Sequence, residues 1–287
     1  VNVLSLVPNG QLRLATVGLA DRPAKADELR RMKYLLEQGL EEGAWGLSTG
    51  LEYPAEMGVP EEEIAELCRV VERLGGLYAT HTRKRDEGSV EAVEEAIRCA
   101  ETTGVRLQVS HLLPRNGRAA GERCIEVVEA ARARGVDVAF DMHTRLYGTT
   151  YLHTVLPPWA HEGGADKLAE RLRDQAARQR MKEHVSILSA GKDWRRVVLL
   201  DNPAWPQYGR LSLAEIAEQR DTSPLDAAYD LLAGVVDELS RLMVILHCYD
   251  EDEQRNVFAH ELCMPGSDAT DLAPDGPLAN SVFHGAY

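Results

Sequence analysis

Basic residues are scarce in this sequence of 287 residues, and so are long apolar runs. Lysine and arginine total 32 against 46 aspartates and glutamates, which gives a net charge of −14. A surface of that sign repels phosphate backbones and anionic lipids, so we expect neither a nucleic acid nor a membrane surface as a partner. No apolar run approaches the roughly 18 residues of a membrane span, which predicts a soluble protein.

Cysteine is also scarce. The sequence contains five scattered cysteines without CxxC spacing, namely Cys68, Cys99, Cys124, Cys248 and Cys263. An odd number without paired spacing argues against a disulfide framework and against a zinc finger. The pattern therefore predicts reduced thiols in the core of a cytoplasmic protein.

From residue 44 onward, short apolar stretches alternate with amphipathic helical stretches. This alternation, with a period of about thirty residues, is typical of parallel strands joined by crossover helices. The predicted strands are 44–51, 77–82, 105–110, 136–142, 196–200, 242–248 and 261–264, and the predicted helices are 60–74, 89–103, 121–134, 165–183, 213–219, 224–237 and 251–260. The fold class predicted is α/β, a (β/α)8 TIM-type barrel that forms one domain over residues 1–287.

The count of strands predicts that the barrel is incomplete at its N-terminus. About seven strands are visible, whereas a closed barrel has eight, so we expect one or two strands before Val1. If two strands precede it, one visible strand lies outside the barrel, and 196–200 is the candidate for an insertion. Residues 143–164 are rich in glycine and proline and lack periodicity, which predicts a long functional loop.

Two histidines follow apolar strands directly. His81 ends the stretch LYATH, and His111 ends the stretch LQVSH thirty residues later. Strands one βα period apart bring their carboxyl ends to the same edge, where barrel enzymes keep their sites. Neutral imidazole is a common zinc ligand, so the shared position predicts a metal site, although either histidine alone could simply cap a strand end.

Other titratable residues also stand at strand ends. Asp268 follows the last apolar strand, where it could bind a metal or take a proton from water, or simply form a turn. His143 follows strand 136–142, and Asp141 lies on the same face of that strand, so one could orient the other; we favour pocket lining over metal binding for His143. His247 also ends a strand and is a rival ligand.

The remaining motifs carry little chemistry. His153, His161, His184 and His260 lie in loop or helical patterns and are predicted to be surface residues, with His153 the exception if there is one. The glycine-rich stretch 43–50 lacks both the dinucleotide fingerprint and the lysine of a P-loop. Neither Ser48 nor Ser110 lies in a G-x-S-x-G elbow, which argues against a serine hydrolase.

Five segments of the chain, in order, resemble segments of the N-acyl-D-amino-acid deacylases, which are metal-dependent amidohydrolases. These segments are GAWGLSTGLEYP (43–54), YATHTR (78–83), VSH (109–111), LPPWA (156–160) and GSD (266–268). The resemblance spans nearly the whole chain. It implies that His81 and His111 are zinc ligands and that Asp268 is the catalytic aspartate, at a barrel edge facing the two histidines.

The same resemblance indicates what lies outside the sequence. The family carries an N-terminal β-sandwich, an early H-x-[HD] strand and a metal-binding cysteine before this region, and the 287 residues contain none of them. We therefore expect the chain to be a fragment that lacks the first strands and the sandwich. By itself it should be inactive and bind metal poorly, and none of its cysteines is the family's ligand.

The segments expected to bind substrate depart from the family. A lysine shortly after the second histidine is replaced by Leu112-Leu113, and the family's H-P-R tripeptide is replaced by a segment that begins with His284. The substrate-binding residues implied by the resemblance are His143, Arg145, Thr149 and His284. Arg145 or Arg115 could supply the positive charge that a substrate carboxylate needs.

These observations together predict zinc-dependent hydrolysis of a linear amide, namely an N-acyl-D-amino acid split into a carboxylate and a D-amino acid. The expected partner is a small molecule, an N-acyl amino acid or related amide. A cyclic amidase resembling dihydroorotase or hydantoinase is the nearest alternative reaction. A metal-free binding or scaffold protein descended from such enzymes is the alternative outside catalysis.

Overall fold

The computed structural model describes residues 2–268. Within that range, residues 2–143 and 251–266 form one compact unit, and residues 144–250 and 267–268 belong to a second. The prediction of one barrel domain over residues 1–287 stays a prediction.

Residues 2–268 contain both strands and α-helices, which alternate along much of the chain. The strands are β1 (Val7–Pro8), β2 (Gly46–Gly50), β3 (Leu77–His81), β4 (Arg106–Val109), β5 (Val138–His143), β6 (Tyr147–Tyr151), β7 (Val197–Leu199), β8 (Met243–His247) and β9 (Cys263–Gly266). The α-helices are α1 (Asn9–Thr16), α2 (Ala26–Glu41), α3 (Glu61–Arg73), α4 (Ser89–Thr103), α5 (Arg118–Ala133), α6 (Pro158–His161), α7 (Gly164–Arg173), α8 (Gln175–Met181), α9 (Leu213–Gln219), α10 (Pro224–Ala233) and α11 (Glu251–Phe258).

No helix within residues 2–268 has both the length and the apolar character that crossing a membrane requires.

The first unit is built on a parallel sheet with the strand order β1-β2-β3-β4-β5-β9. In its register, Gly50 lies opposite His81, and Thr80 lies opposite Val109. The predicted parallel α/β arrangement is confirmed. The sheet formed by residues 2–268 is open, with β1 and β9 at its edges, so the predicted (β/α)8 barrel, incomplete at its N-terminus, stays a prediction.

Helix α3 shows how the sequence determines these elements locally. Pro60 is its N-cap, three glutamates stand in its first turn, and Gly75 follows its end with a φ of 71°. Ile64, Leu67 and Val71 are buried at helical spacing, which gives the helix an apolar face. Helix α4 packs against α3, and α5 packs against α4, with all three next to the sheet.

The N-terminal elements were missed by the sequence analysis. Strand β1 has only two residues, too few to show an alternation of apolar and polar side chains. Helix α2 buries only Met32 and Leu36 fully, so its apolar stripe is narrow in a largely charged sequence. Both elements complete one edge of the first unit, where β1 pairs with β2.

The second unit contains an antiparallel sheet with the strand order β6-β8-β7. The predicted strand 196–200 corresponds to β7. This strand lies outside the parallel sheet, as expected if it belongs to an insertion. The strand predicted at 242–248 corresponds to β8 and lies in this same antiparallel sheet. The long-loop prediction for residues 143–164 is wrong, because β6, a 3₁₀ turn and α6 occupy most of it; backbone pairing with β8 supplies the order that side-chain periodicity does not.

His161 is buried beside the half-buried His153 in the second unit, contrary to the surface position predicted for His161. The rings of His153 and His161 meet edge to face with centroids 5.8 Å apart, and His153 stacks on Tyr151. His153 Nδ1 and His161 Nε2 are buried without a hydrogen-bond partner among residues 2–268. Burial lowers the pKa of His161 to about 4, and the nearby His153 and Arg171 act in the same direction.

We predict that the second unit loses stability in acid through His161. Its folded-state pKa lies below the unfolded value of about 6.5, so the neutral imidazole contributes stability that is complete above pH 6.5 and is lost as the pH falls toward 4. The loss should reach roughly 3 kcal/mol in the free energy of unfolding. Urea unfolding followed through tryptophan fluorescence measures it, because three of the four tryptophans, Trp159, Trp194 and Trp205, lie in the second unit.

The matched variants are His161→Leu and His247→Gln. Leucine at 161 cannot be protonated, so the acid loss between pH 6.5 and 4 should shrink. His247 is an exposed histidine of the same unit, and its replacement should leave the acid loss unchanged. An equal acid loss in wild type and His161→Leu would contradict the prediction.

Candidate active site

The parallel sheet brings His81 and His111 together at the carboxyl ends of adjacent strands. His81 is the last residue of β3, and His111 follows the end of β4 by two residues. His81 Nδ1 lies 3.2 Å from His111 Nε2, and the two rings meet edge to face. Both imidazoles are nearly buried, with 12% of the His81 side chain and 9% of His111 exposed.

This geometry fits two ligands of one tetrahedral metal ion. Two nitrogens at about 2.0–2.1 Å from a tetrahedral zinc are about 3.3 Å apart. Burial lowers the pKa of His81, and it lowers the pKa of His111 further with help from the charge of Arg85, so both rings favour the neutral form that binds metals. Among residues 2–268, no third histidine, cysteine or carboxylate joins them in a metal-binding cluster.

A buried carboxylate flanks the pair. Glu52 lies two residues beyond β2, and its carboxylate is 2.7 Å from His81 Nε2. Arg115 donates to both oxygens of Glu52 and also to Asp86. Burial opposes ionisation of Glu52, but the charge of Arg115 and the hydrogen bond with His81 outweigh it and hold the pKa of this carboxyl well below its usual range.

The backbone of His111 is held in an unusual conformation. Its φ of 38° lies in the left-handed region that a non-glycine residue rarely adopts. Asp141 accepts a hydrogen bond from the His111 backbone N–H at 2.7 Å and another from the Gln108 side chain at 2.8 Å. Arg85 donates to the carbonyl oxygens of His111 and Leu113. These contacts clamp the turn and so fix the direction of the imidazole.

His143 lies in the same sheet as the histidine pair. It is the last residue of β5 and is almost fully buried, and its carbonyl oxygen accepts a hydrogen bond from Gln254. A positive charge on His143 would lower the pKa of His111. The position agrees with the pocket-lining role favoured from the sequence, which stays a prediction.

The second unit holds three of the remaining candidates. Arg145 donates to the carbonyl oxygens of Ser267 and Asp268, and its guanidinium lies 3.6 Å from the Asp268 carboxylate. Asp268 is exposed and has a φ of 45°, in the left-handed region that His111 also adopts. Thr149 lies in β6 opposite Ile245. His284 lies outside the described residues.

His247, the rival ligand, does not share the position of the pair. It ends β8 in the antiparallel sheet of the second unit, opposite Tyr147, and its side chain is exposed. Only parallel neighbours bring their carboxyl ends to a common edge, and β8 has no parallel neighbour among residues 2–268.

Glu52, Arg85 and Asp86 were missed as contributors to the site. The signal for Glu52 was present, because it follows the end of β2 by the same two residues by which His111 follows β4. Arg115, suggested as a substrate-binding charge, is 95% buried in ion pairs with Glu52 and Asp86. No sequence signal separated these pairs from ordinary surface pairs.

The chain is similar to known deacylases. It is 30% identical to an N-acyl-D-glutamate deacylase of Alcaligenes xylosoxydans xylosoxydans over 93% of its own length and 47% of the relative, and 29% identical to a D-aminoacylase of the same organism over the same shares. A crystal structure of N-acyl-D-glutamate deacylase from Bordetella bronchiseptica, complexed with zinc and a phosphonate mimic of the tetrahedral intermediate, matches 93% of this chain and 48% of its own, with 26% identity and a TM-score of 0.70.

The resemblance to N-acyl-D-amino-acid deacylases predicted from the five segments is therefore confirmed. The chain spans about half the length of the curated relatives it matches. No protein-family profile matches the sequence.

We predict that Asp141 stabilises the turn at His111. In Asp141→Ala the His111 N–H loses its acceptor, and the free energy of unfolding should fall by about 1–3 kcal/mol. The control is Asp137→Ala, which removes an exposed carboxylate paired with Arg132 just before the same strand and should cost about 1 kcal/mol or less. Urea unfolding of both variants makes the comparison, and equal losses would show that Asp141 has no special role.

Proposed function

We propose that this chain forms part of a metal-dependent amidohydrolase that hydrolyses N-acyl-D-amino acids to a carboxylate and a D-amino acid. The observation that carries the proposal is the 3.2 Å approach of His81 Nδ1 to His111 Nε2 at the ends of adjacent parallel strands. Similarity to deacylases over 93% of the chain supports this class of substrate. In the whole protein we expect the parallel sheet to belong to a (β/α)8 barrel.

Zinc is the cofactor we propose for the histidine pair. The pair presents two neutral imidazole nitrogens at the spacing of zinc ligands, and the similar Bordetella deacylase was crystallised with zinc. When bound, zinc polarises a scissile carbonyl and makes water more acidic. His81 and His111 would supply two of its ligands.

The other residues have roles that follow from their chemistry. Asp268 is the proposed general base, which takes the proton of the attacking water and passes it to the leaving amine. His143, Arg145, Thr149 and His284 are the proposed substrate-binding residues. Arg145 contacts the Asp268 carboxylate and the carbonyl oxygens of residues 267 and 268, so it can hold the aspartate in place as well as carry positive charge.

We predict that metal binding by the chain depends on the two histidines. Titration of the 287-residue chain with Co²⁺ or Zn²⁺ should show weak binding, and His81→Ala or His111→Ala should weaken it at least about tenfold, because each removes a ligand. His260→Gln is the control, since His260 pairs with Glu129 and precedes the start of β9, away from the carboxyl ends of the strands. Equal affinity in all four proteins would argue for the metal-free binding or scaffold alternative.

We also predict that Asp268 carries the proton transfer. The substrate of an active form of the protein is identified by comparing turnover of N-acyl-D-amino acids, their L forms and cyclic amides. A preference for the cyclic amides would contradict the proposed substrate. In that form Asp268→Asn should lower kcat by about 10² to 10⁴ with little change in KM. Asp201→Asn, at an exposed pair with Arg210, is the control. Near-normal turnover of Asp268→Asn would shift the role to His143.

A further inference from the structure

The Glu52 carboxylate makes contacts that a simple ion pair with Arg115 does not require. One oxygen lies 2.7 Å from His81 Nε2 and also accepts from Arg115, while the other accepts from Arg115 at 2.6 Å. The side chain is 9% exposed, so water offers it few alternative partners. The carboxylate therefore belongs jointly to the arginine and to the first histidine of the pair.

An ionised carboxylate can only accept hydrogen bonds, so His81 must donate from Nε2. A neutral imidazole carries one N–H, which leaves the lone pair of His81 on Nδ1. Nδ1 is the atom that lies 3.2 Å from His111 Nε2. The contact with Glu52 thus selects the tautomer in which His81 presents a lone pair toward its partner.

The arginine keeps the carboxylate in its ionised state and in one orientation. Arg115 is 5% exposed, and its planar guanidinium binds Glu52 through two nitrogens and Asp86 through two. The backbone N–H of Arg115 is itself bound to the carbonyl oxygen of Arg85 at 2.6 Å. Because Asp86 also pairs with Arg115, the arginine keeps an anionic partner when Glu52 is replaced by a neutral residue.

We infer that Glu52 is a positioning residue that fixes the tautomer and ring orientation of His81 for metal binding, and that Arg115 holds Glu52 for this task. The inference rests on the proposed function, in which His81 is a metal ligand. Carboxylates bound to the far nitrogen of a metal-binding histidine commonly strengthen metal affinity by 10- to 100-fold.

The tautomer can be measured without metal, by long-range ¹⁵N–¹H correlation spectra of the histidine-labelled 287-residue chain. Wild type should show His81 protonated on Nε2. Glu52→Leu removes the acceptor and should give a mixture of tautomers or a mobile ring. Glu52→Gln keeps a carbonyl acceptor and should largely retain the wild-type tautomer.

Metal affinity is the second readout, taken by Zn²⁺ competition with a chromophoric chelator. Glu52→Leu should bind about 10- to 100-fold more weakly than wild type, and Glu52→Gln by an intermediate factor. The control is Glu95→Gln, which removes a partly buried carboxylate bound by Arg83, two residues after His81, without touching a histidine. This control should match wild type in both measurements.

The outcomes separate the inference from the proposed function. Wild-type tautomer and affinity in Glu52→Leu would overturn the inference, even if His81→Ala abolished metal binding. A loss of affinity in Glu95→Gln equal to that of Glu52→Leu would also overturn it, since nearby negative charge would then be the cause. If Glu52→Leu does not fold, Glu52→Met, which also removes the acceptor, takes its place, and wild-type tautomer and affinity in that variant overturn the inference. A different result is that Glu52→Leu loses the wild-type His81 tautomer while His81→Ala leaves metal binding unchanged. That result would support the contact between Glu52 and His81 and refute the metal site.

Discussion

The candidate site depends first on the register of the parallel ladder formed by β2, β3 and β4. Gly50 lies opposite His81, and Thr80 lies opposite Val109, so the three strands end at nearly the same level. A slip of one residue would turn the side chains of a strand to the other face of the sheet. Because the ladder is built from backbone hydrogen bonds, it sets the histidine separation more rigidly than a surface loop could.

Electrostatics then determine what the histidines can do. Burying an ionised Glu52 or Arg115 alone would be unfavourable, and their mutual hydrogen bonds, with those of Asp86 and His81, offset that cost. The histidines respond in the opposite way, since burial keeps both rings neutral. The edge of the sheet thus combines a paired charged network with two uncharged imidazole rings.

The second unit follows a different structural rule. Its strands β6, β8 and β7 are antiparallel, so their carboxyl ends do not gather at one edge. Its candidate residues Arg145 and Asp268 instead lie in short segments outside the strands. The Arg145 guanidinium contacts the backbone carbonyls of residues 267 and 268 and the Asp268 carboxylate. Such contacts between residues more than a hundred positions apart leave no periodic trace in the sequence.

The parallel α/β arrangement, most helix positions in the first unit and the proximity of His81 to His111 could be predicted from the sequence. Hydrophobic periodicity and a repeat of about thirty residues are local properties, and they survive in one dimension. The fold was needed to show that β8 lies outside the parallel sheet. It was also needed to show that Asp141 and Arg85 hold the left-handed turn at His111, and that Glu52 contacts His81. Those features are contacts between distant segments, and many carboxylates and arginines of this charged sequence were equally plausible partners until the fold selected a few.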